Sequence, residues 1–465
     1  MTTASSNENG AWWRELNRYH WFVLVVAALG WLFDCLDQQL FNLARRPAMI
    51  ELLGKGAAPG QIDYYAGVTT AIFLLGWATG GLVFGMLGDR IGRARTMMFT
   101  ILLYSFCTGL SAFSTTVWDF AFYRFITGLG VGGEFAVGVA LVAEVMPDRA
   151  RPMALGLLQA FSAIGNVSAA LISMGLGTLE QQGVLGKLNQ WGAWRWMFVI
   201  GALPALLALV VRSKLQEPER WVQLKQQSKN SGIQLGSYAL LFRDPRWRRN
   251  AIVGVLLACS GVIGLWGIAF FSVDLTQSVL KEILIKRGVS GAQLSGSLKF
   301  WAGVASIMIN IGAFLGMIVF TRVTQRIGRK PAFAISFTLA MVSTAGLFWF
   351  FNDFSHLFWM MPIMGFCVLS LFGGYAIYFP ELFPTSIRST GTSFCYNVGR
   401  FVAALGPLTL GYLTRDIFGH LPKEMPLRYA GICMCAVFLI GLAVLPFAPE
   451  TRGQPLPDED RAFTH

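Results

Sequence analysis

The chain has 465 residues, 54% of them hydrophobic and 13% charged, with a net charge of +12. A soluble globule carries about 25% charged residues and could not cover a core with this composition. Its 14% aromatic content excludes a disordered chain. With a mean hydropathy of +0.54, what remains is an all-α membrane protein that crosses the bilayer many times.

A spanning helix needs about 20 mostly apolar residues. Hydropathy and helical periodicity predict twelve spans, at residues 21–44, 63–88, 96–114, 118–145, 150–177, 194–212, 248–280, 297–320, 332–352, 356–383, 388–413 and 427–447. The longest polar connection, 213–247, divides an N-terminal bundle (1–212) from a C-terminal bundle with a short tail (248–465). Lys and Arg concentrate in the loops on one side, above all in the run Arg243, Arg246, Arg248 and Arg249. That asymmetry predicts both termini in the cytoplasm. It also accounts for the basic charge without any nucleic-acid partner. The seven cysteines fall in apolar runs and the four histidines are scattered, so neither a disulfide scaffold nor a metal site is expected.

The two halves repeat. Arg-Ile-Gly-Arg occurs at 90–93 and at 326–329. Glu-x-x-Pro-x-x-x-Arg occurs at Glu144–Arg151 and at Glu381–Arg388. Pro218-Glu219-Arg220 and Pro449-Glu450-Thr451-Arg452 close the sixth and twelfth spans, at an offset of 231. Duplicated six-helix bundles place a site at their interface, near the middle of the membrane.

These motifs resemble the major facilitator superfamily across the whole chain. Gly85-x-x-x-Asp89-Arg90-x-Gly92-Arg93-x-Arg95 is similar to that family's loop motif between helices two and three. Arg124-x-x-x-Gly128-x-Gly130-x-Gly132-Gly133 resembles its fourth-helix motif. Phe394-Cys395-Tyr396-Asn397-Val398-Gly399-Arg400 resembles the sialate and monocarboxylate proton symporters. The aromatic-acid and sialate branches carry Asp-Gly-aromatic-Asp in helix one, where this chain has Asp34-Cys35-Leu36-Asp37. The resemblance implies a twelve-helix secondary transporter, monomeric and without a cofactor. It would import a small organic anion together with protons by alternating access. A neutral-sugar porter is the alternative, because the Glu-x-x-Pro-x-x-x-Arg motifs are shared with sugar carriers. A transporter-like nutrient sensor would have long cytoplasmic additions, whereas the loop and tail here are short. An enzyme is not expected: the Gly-rich run 128–133 follows no strand, and no Walker or nucleophile-elbow sequence occurs.

Ionisable groups inside spans cost at least about 2.5–3.5 kcal/mol each and are functional candidates by default. Asp34 and Asp37 share a face of helix one, while Arg124 and Glu134 lie on helix four. Together they are the candidate proton-coupling group, with Arg124 within reach of Asp37. Arg400 has no counterpart in the first half, where Ala163 takes the matching place. A guanidinium grips a carboxylate through two parallel hydrogen bonds. Arg400 is therefore the candidate anion-binding residue. Asn397, Tyr375, Tyr378, Trp266, Phe270, Phe271, Gln159, Asn166 and Asn310 are candidates to line the same cavity. Gly85, Asp89, Arg90, Arg93, Glu144 and Arg151 form a candidate gate, with Arg326, Arg329, Glu381 and Arg388 in the second copy. Because Gln325 replaces the acid of Asp89 there, weaker latching is expected from the second copy.

Overall fold

A computed structural model describes residues 12–54, 59–181, 191–204, 214–231, 234–403, 405–422 and 425–457. Among them there is no strand. The first half contains α1 (Arg18–Leu53), α2 (Pro59–Ile91), α3 (Arg93–Ser111), α4 (Val117–Val145), α5 (Arg151–Gln181) and α6 (Ala193–Gly201). The connection carries two helices of its own, α7 (Glu219–Ser231) and α8 (Tyr238–Arg243). The second half contains α9 (Pro245–Ile263), α10 (Ser272–Lys286), α11 (Gly291–Ile327), α12 (Arg329–Phe350), α13 (Phe354–Glu381), α14 (Arg388–Ala403), α15 (Gly406–Tyr412), α16 (Met425–Met434) and α17 (Val437–Val444).

Among the described residues, nine spans are long and apolar enough to cross a membrane. The remaining three expected spans correspond to α3, to α6 and to α14 with α15. Part of the sixth span, 205–212, lies outside the described residues. The eleventh reads poorly on hydropathy because α14 buries Arg388, Ser389, Thr390, Thr392, Ser393, Asn397 and Arg400. It is a polar helix lodged inside the protein.

Local sequence sets the helix boundaries. Asn17 opens α1 by accepting from the His20 amide at 2.8 Å. Thr116 and Asp119 form a reciprocal box at the start of α4. Asp244 caps α9, with Pro245 at its first turn. Two expected single helices are broken. The seventh span is interrupted by a π turn at Gly264–Ile268 and a 3-10 turn at Ala269–Phe271. The twelfth is interrupted between Met434 and Val437.

Glycines let helices touch backbone to backbone. A Cβ on Gly128 or Gly132 of α4 would collide with the carbonyls of Phe73 or Trp77 on α2. The second half repeats this seam, with Gly312 of α11 against Pro362 and Gly365 of α13 against Ile309. Between the halves, α2 packs on α14 and α5 on α11.

Two more repeated elements appear only in the structure. Arg195 donates to the Ala112 and Ser114 carbonyls at the end of α3, at 2.6 and 2.9 Å. Arg428 does the same for Phe348, Trp349 and Phe351 at the end of α12. At the opposite end, Glu217 accepts from the Ala94 and Arg95 amides, and Glu450 accepts from the Arg329 and Lys330 amides. Each acid sits beside a positive-φ glycine, Gly92 or Gly328. The acid equivalent to Glu450 is therefore Glu217. This corrects the register of 231, which had matched Glu450 with Glu219.

Candidate functional site

The candidate gate is a buried lattice where the ends of α2, α4 and α14 meet. Asp89 at the end of α2 accepts from the Ser389 amide at 3.1 Å and from the Thr390 amide and hydroxyl at 2.8 and 2.6 Å. It thus caps α14 of the other half, where a carboxylate also meets the positive end of the helix dipole. Arg93 donates to Glu144 at 2.9 Å and to the Thr385 carbonyl at 2.8 Å, and lies 2.9 Å from Asp89. Arg388 donates to the same Glu144 oxygen at 2.8 Å. Gly85 has no side chain because Ser393 fills that space. Arg90 donates to the Leu235 and Gly236 carbonyls, and Gly236 donates to the Ser386 carbonyl at 2.8 Å. The connecting segment thereby bridges both halves.

The second copy is arranged differently. Glu381 pairs with Arg329 at 2.8 Å and accepts from the Thr451 hydroxyl at 2.6 Å, all within its own half. Arg151, the first-copy match of Arg388, likewise stays within its own half, pairing with Asp148 and donating to the Ala143 carbonyl at 2.7 Å. Arg326 is exposed. The described cross-half polar contacts at this end therefore join Asp89, Arg93 and Glu144 of the first half, with Gly236 of the connection, to the segment 385–390 of the second.

Arg400 lies deeper along α14, 9% exposed. Its guanidinium sits 4.4 Å above the Trp77 ring of α2 and 5.1 Å from Tyr396. One nitrogen donates to Asn397 Oδ1 at 2.9 Å, while Asn397 is held by Ser393. Among the described residues no carboxylate lies within 4.0 Å of this cation. Around it an aromatic series joins the halves: Trp31 to Phe135 at 4.2 Å, then Phe135 to Tyr396 at 4.9 Å. The Trp31 and Trp77 indole nitrogens, the Tyr396 hydroxyl and Gln159 Oε1 are buried without hydrogen-bond partners. Buried polar groups without partners leave hydrogen bonds open to a polar ligand.

The other expected lining residues divide. Tyr375 and Tyr378 donate to the backbone carbonyls of Leu257 (2.6 Å) and Pro449 (2.7 Å), so both hydroxyls are already engaged. Tyr378 is tied to the chain's tail rather than offered to a cavity. Asn166 donates to Asn310 at 3.0 Å, joining α5 to α11 across the interface. Trp266 lies in the π turn and Phe271 in the 3-10 turn of the break in the seventh span, and both are half-buried. The Phe270 side chain lies outside the described residues. A separate cavity of about 650 Å³, lined by Arg246, Arg249, Asn250, Glu381 and Gln454, lies wholly at the end of the second half.

The buried acids also separate. Asp37 lies 3.4 Å from Arg124 and accepts from the Thr108 hydroxyl at 2.7 Å. Arg124 is further held by Ser111 and Thr127 and by the Phe198 ring at 4.7 Å. Asp34 instead faces Glu134 of α4, and neither forms an ion pair among the described residues. Trp77 and Tyr396 are the site residues that sequence reasoning missed. For Trp77 the available signal was its position one turn before Gly81 on the seam of α2.

Two family models match the chain. Sugar (and other) transporter covers residues 31–235 and Major Facilitator Superfamily covers 267–464. A Haemophilus influenzae relative named for metabolite transport is 31% identical over 447 residues, 95% of this chain and 99% of the relative. The cis,cis-muconate transport protein of Acinetobacter baylyi is 28% identical, covering 75% of this chain and 78% of its own. A sialic acid transporter of Escherichia coli is 27% identical, covering 87% and 90%. Among solved structures, a proton:xylose symporter bound to 6-bromo-6-deoxy-D-glucose superposes with a TM-score of 0.72 at 18% identity, covering 94% of this chain and 98% of that one. At that identity the likeness concerns the fold.

Proposed function

The chain belongs to the major facilitator superfamily and is a multi-pass membrane transport protein, and from that premise we propose that it imports a small organic anion together with protons by alternating access. The halves, 1–212 and 248–465, rock about the central site with 213–247 connecting them, in a bacterial inner membrane with both termini cytoplasmic and the protein monomeric. One observation carries the anion reading: Arg400 is a buried guanidinium between the halves with no carboxylate beside it among the described residues. A charge left uncompensated there is stabilised by an anion that arrives and leaves. Trp77 and Tyr396, whose indole nitrogen and hydroxyl have no hydrogen-bond partner, lie beside it. The relatives named for muconate and sialic acid transport support the same class. Asn397 orients the guanidinium, and Gln159 offers a further polar contact. Asp34, Asp37 and Glu134 are the acids from which the proton carrier is drawn. The Asp89–Arg93–Glu144–Arg388 lattice closes the cytoplasmic end and opens when the halves rock.

Uptake into proteoliposomes tests this. Benzoate, cis,cis-muconate, N-acetylneuraminate, lactate and xylose are offered with and without an imposed inward proton gradient. Accumulation of a carboxylate that rises with the gradient supports the proposal. Uptake of xylose alone would replace it with the sugar-porter reading.

A further inference from the structure

We propose that the cavity at the end of the second half is a second anion site, which takes a phosphate ester between the guanidiniums of Arg246 and Arg249. The inference does not depend on the transported substrate, because this cavity and the Arg400 pocket share no residue.

Arg246 and Arg249 lie one turn apart on one face of α9, and both line the cavity. Arg248 is on a different face and does not line it. Among the described residues neither lining arginine forms an ion pair with an acid. Arg249 gives one nitrogen to the Phe447 carbonyl at 3.1 Å, and Arg246 rests 4.7 Å from the Trp247 ring. Each keeps most of its five donors for a ligand. The acids nearby are already engaged. Asp244 accepts from the Arg246 and Trp247 amides as the cap of α9. Glu381, in the cavity wall, is held on both oxygens by Arg329, at 2.8 and 3.0 Å, and by the Thr451 hydroxyl.

The walls are tied to one another, so the site is formed in advance. Asn250 of α9 donates to the Leu382 carbonyl at 2.9 Å, Thr451 joins the tail to Glu381, and Arg388 donates to the Pro457 carbonyl at 3.4 Å. The enclosed volume of about 650 Å³ is that of a small-molecule site. Its place in the membrane selects the ligand. Three spans end on it: Pro245 opens one, while Glu381 and Phe447 close two others. The cavity therefore lies at the level of the headgroups, with the exposed Phe447 ring at its rim. Basic pockets between spanning helices bind phosphorylated headgroups. A carboxylate fills one guanidinium fork and leaves the second arginine without a partner, whereas the oxygens of a phosphate serve both. The same chemistry is offered by an anionic lipid and by a free phosphate ester.

The test uses the purified full chain in neutral detergent. Isothermal calorimetry measures binding of dihexanoyl phosphatidylglycerol, of glycerol phosphate as its free headgroup, and of dihexanoylglycerol, which lacks the phosphate. Arg246→Gln with Arg249→Gln should weaken binding of the phosphate probe by about tenfold or more. Arg248→Gln, an equal loss of charge on another face, should leave it unchanged. Binding of the lipid alone supports the site with a membrane lipid as its source, and binding of both phosphates supports it with a free ester. Failure of both to bind, equal binding of dihexanoylglycerol, or an equal loss with Arg248→Gln overturns the proposal. Neutralising Asp458, Glu459 and Asp460, which follow the tail, should not alter the affinity. A rise of about tenfold on doing so would make the chain's own acids the occupant and also overturn it. A second measurement keeps both arginines in place. Gln454→Cys, in the cavity wall, should react with a maleimide more slowly once the phosphate probe is bound, and an unchanged rate contradicts the site.

Discussion

The Arg388 guanidinium of the second half lies 2.8 Å from the Glu144 carboxylate of the first, and both side chains are fully buried. Arg93 contacts the same oxygen from within the first half. Removing one partner of such a buried cluster costs about 3–5 kcal/mol. On the proposed rocking motion this pair forms only in the state closed at that end, so the loss should fall on that state. Arg388→Ala should therefore expose the α2–α14 contact, read as faster labelling of Ser393→Cys by a membrane-impermeant maleimide. Equal labelling with and without Arg388 would show that the lattice does not hold the gate.

Asp37 and Arg124 are paired at 3.4 Å with both side chains buried. Arg124→Ala strands a buried carboxylate and should destabilise the protein by about 3–5 kcal/mol. The double variant Asp37→Leu with Arg124→Met should recover most of that loss in a thermal-unfolding assay in detergent. No recovery would mean that the two charges are not each other's partners.

The glycine seam makes a packing prediction. Gly132→Val places a side chain against the Trp77 carbonyl on α2. Overpacking of this kind costs about 1–3 kcal/mol or more. Gly175→Ala on α5 meets open space and should be neutral. The comparison is made by monodisperse yield on size exclusion, and equal yields would contradict the seam.

Glu450 sits outside the spans and caps α12. Burial pushes its carboxyl up, but the amides of Arg329, Lys330 and Arg452 outweigh that and hold it below its ordinary value of 4.5. A depressed folded value gives stability that is full above 4.5 and is lost as pH falls through the folded value. Glu450→Gln should therefore melt lower than the unsubstituted protein at neutral pH, with the gap closing on acidification. A gap independent of pH would show that the charge on Glu450 is not what stabilises the cap.

Much of the architecture is legible from residues because duplication writes it twice. Arg-Ile-Gly-Arg and Glu-x-x-Pro-x-x-x-Arg mark the same structural places in both halves. What escapes is whatever depends on which helices meet. Glu144 and Glu381 look equivalent in sequence, yet Glu144 alone takes up Arg388 from the other half, while Glu381 binds Arg329. The matched caps Arg195 and Arg428 share no surrounding motif, since backbone carbonyls accept from them whatever the side chains are. Asp34 and Asp37 are three residues apart on one helix, but α3 and α4 give them opposite partners. Arg400 stood out as an unmatched charge; the Trp77 ring beneath it did not, because its one signal, a place one turn before Gly81, does not say that the ring faces the other half.

The most direct measurement is the affinity of purified protein for benzoate, cis,cis-muconate and N-acetylneuraminate by isothermal calorimetry, with Arg400 intact, as Arg400→Lys and as Arg400→Ala. The account predicts that the acid bound by the unsubstituted protein is weakened about tenfold or more by Arg400→Lys, which keeps the charge but loses the fork. Arg400→Ala should abolish binding without altering the size-exclusion profile. Undiminished binding in Arg400→Ala would contradict the claim that this guanidinium holds the substrate's carboxylate.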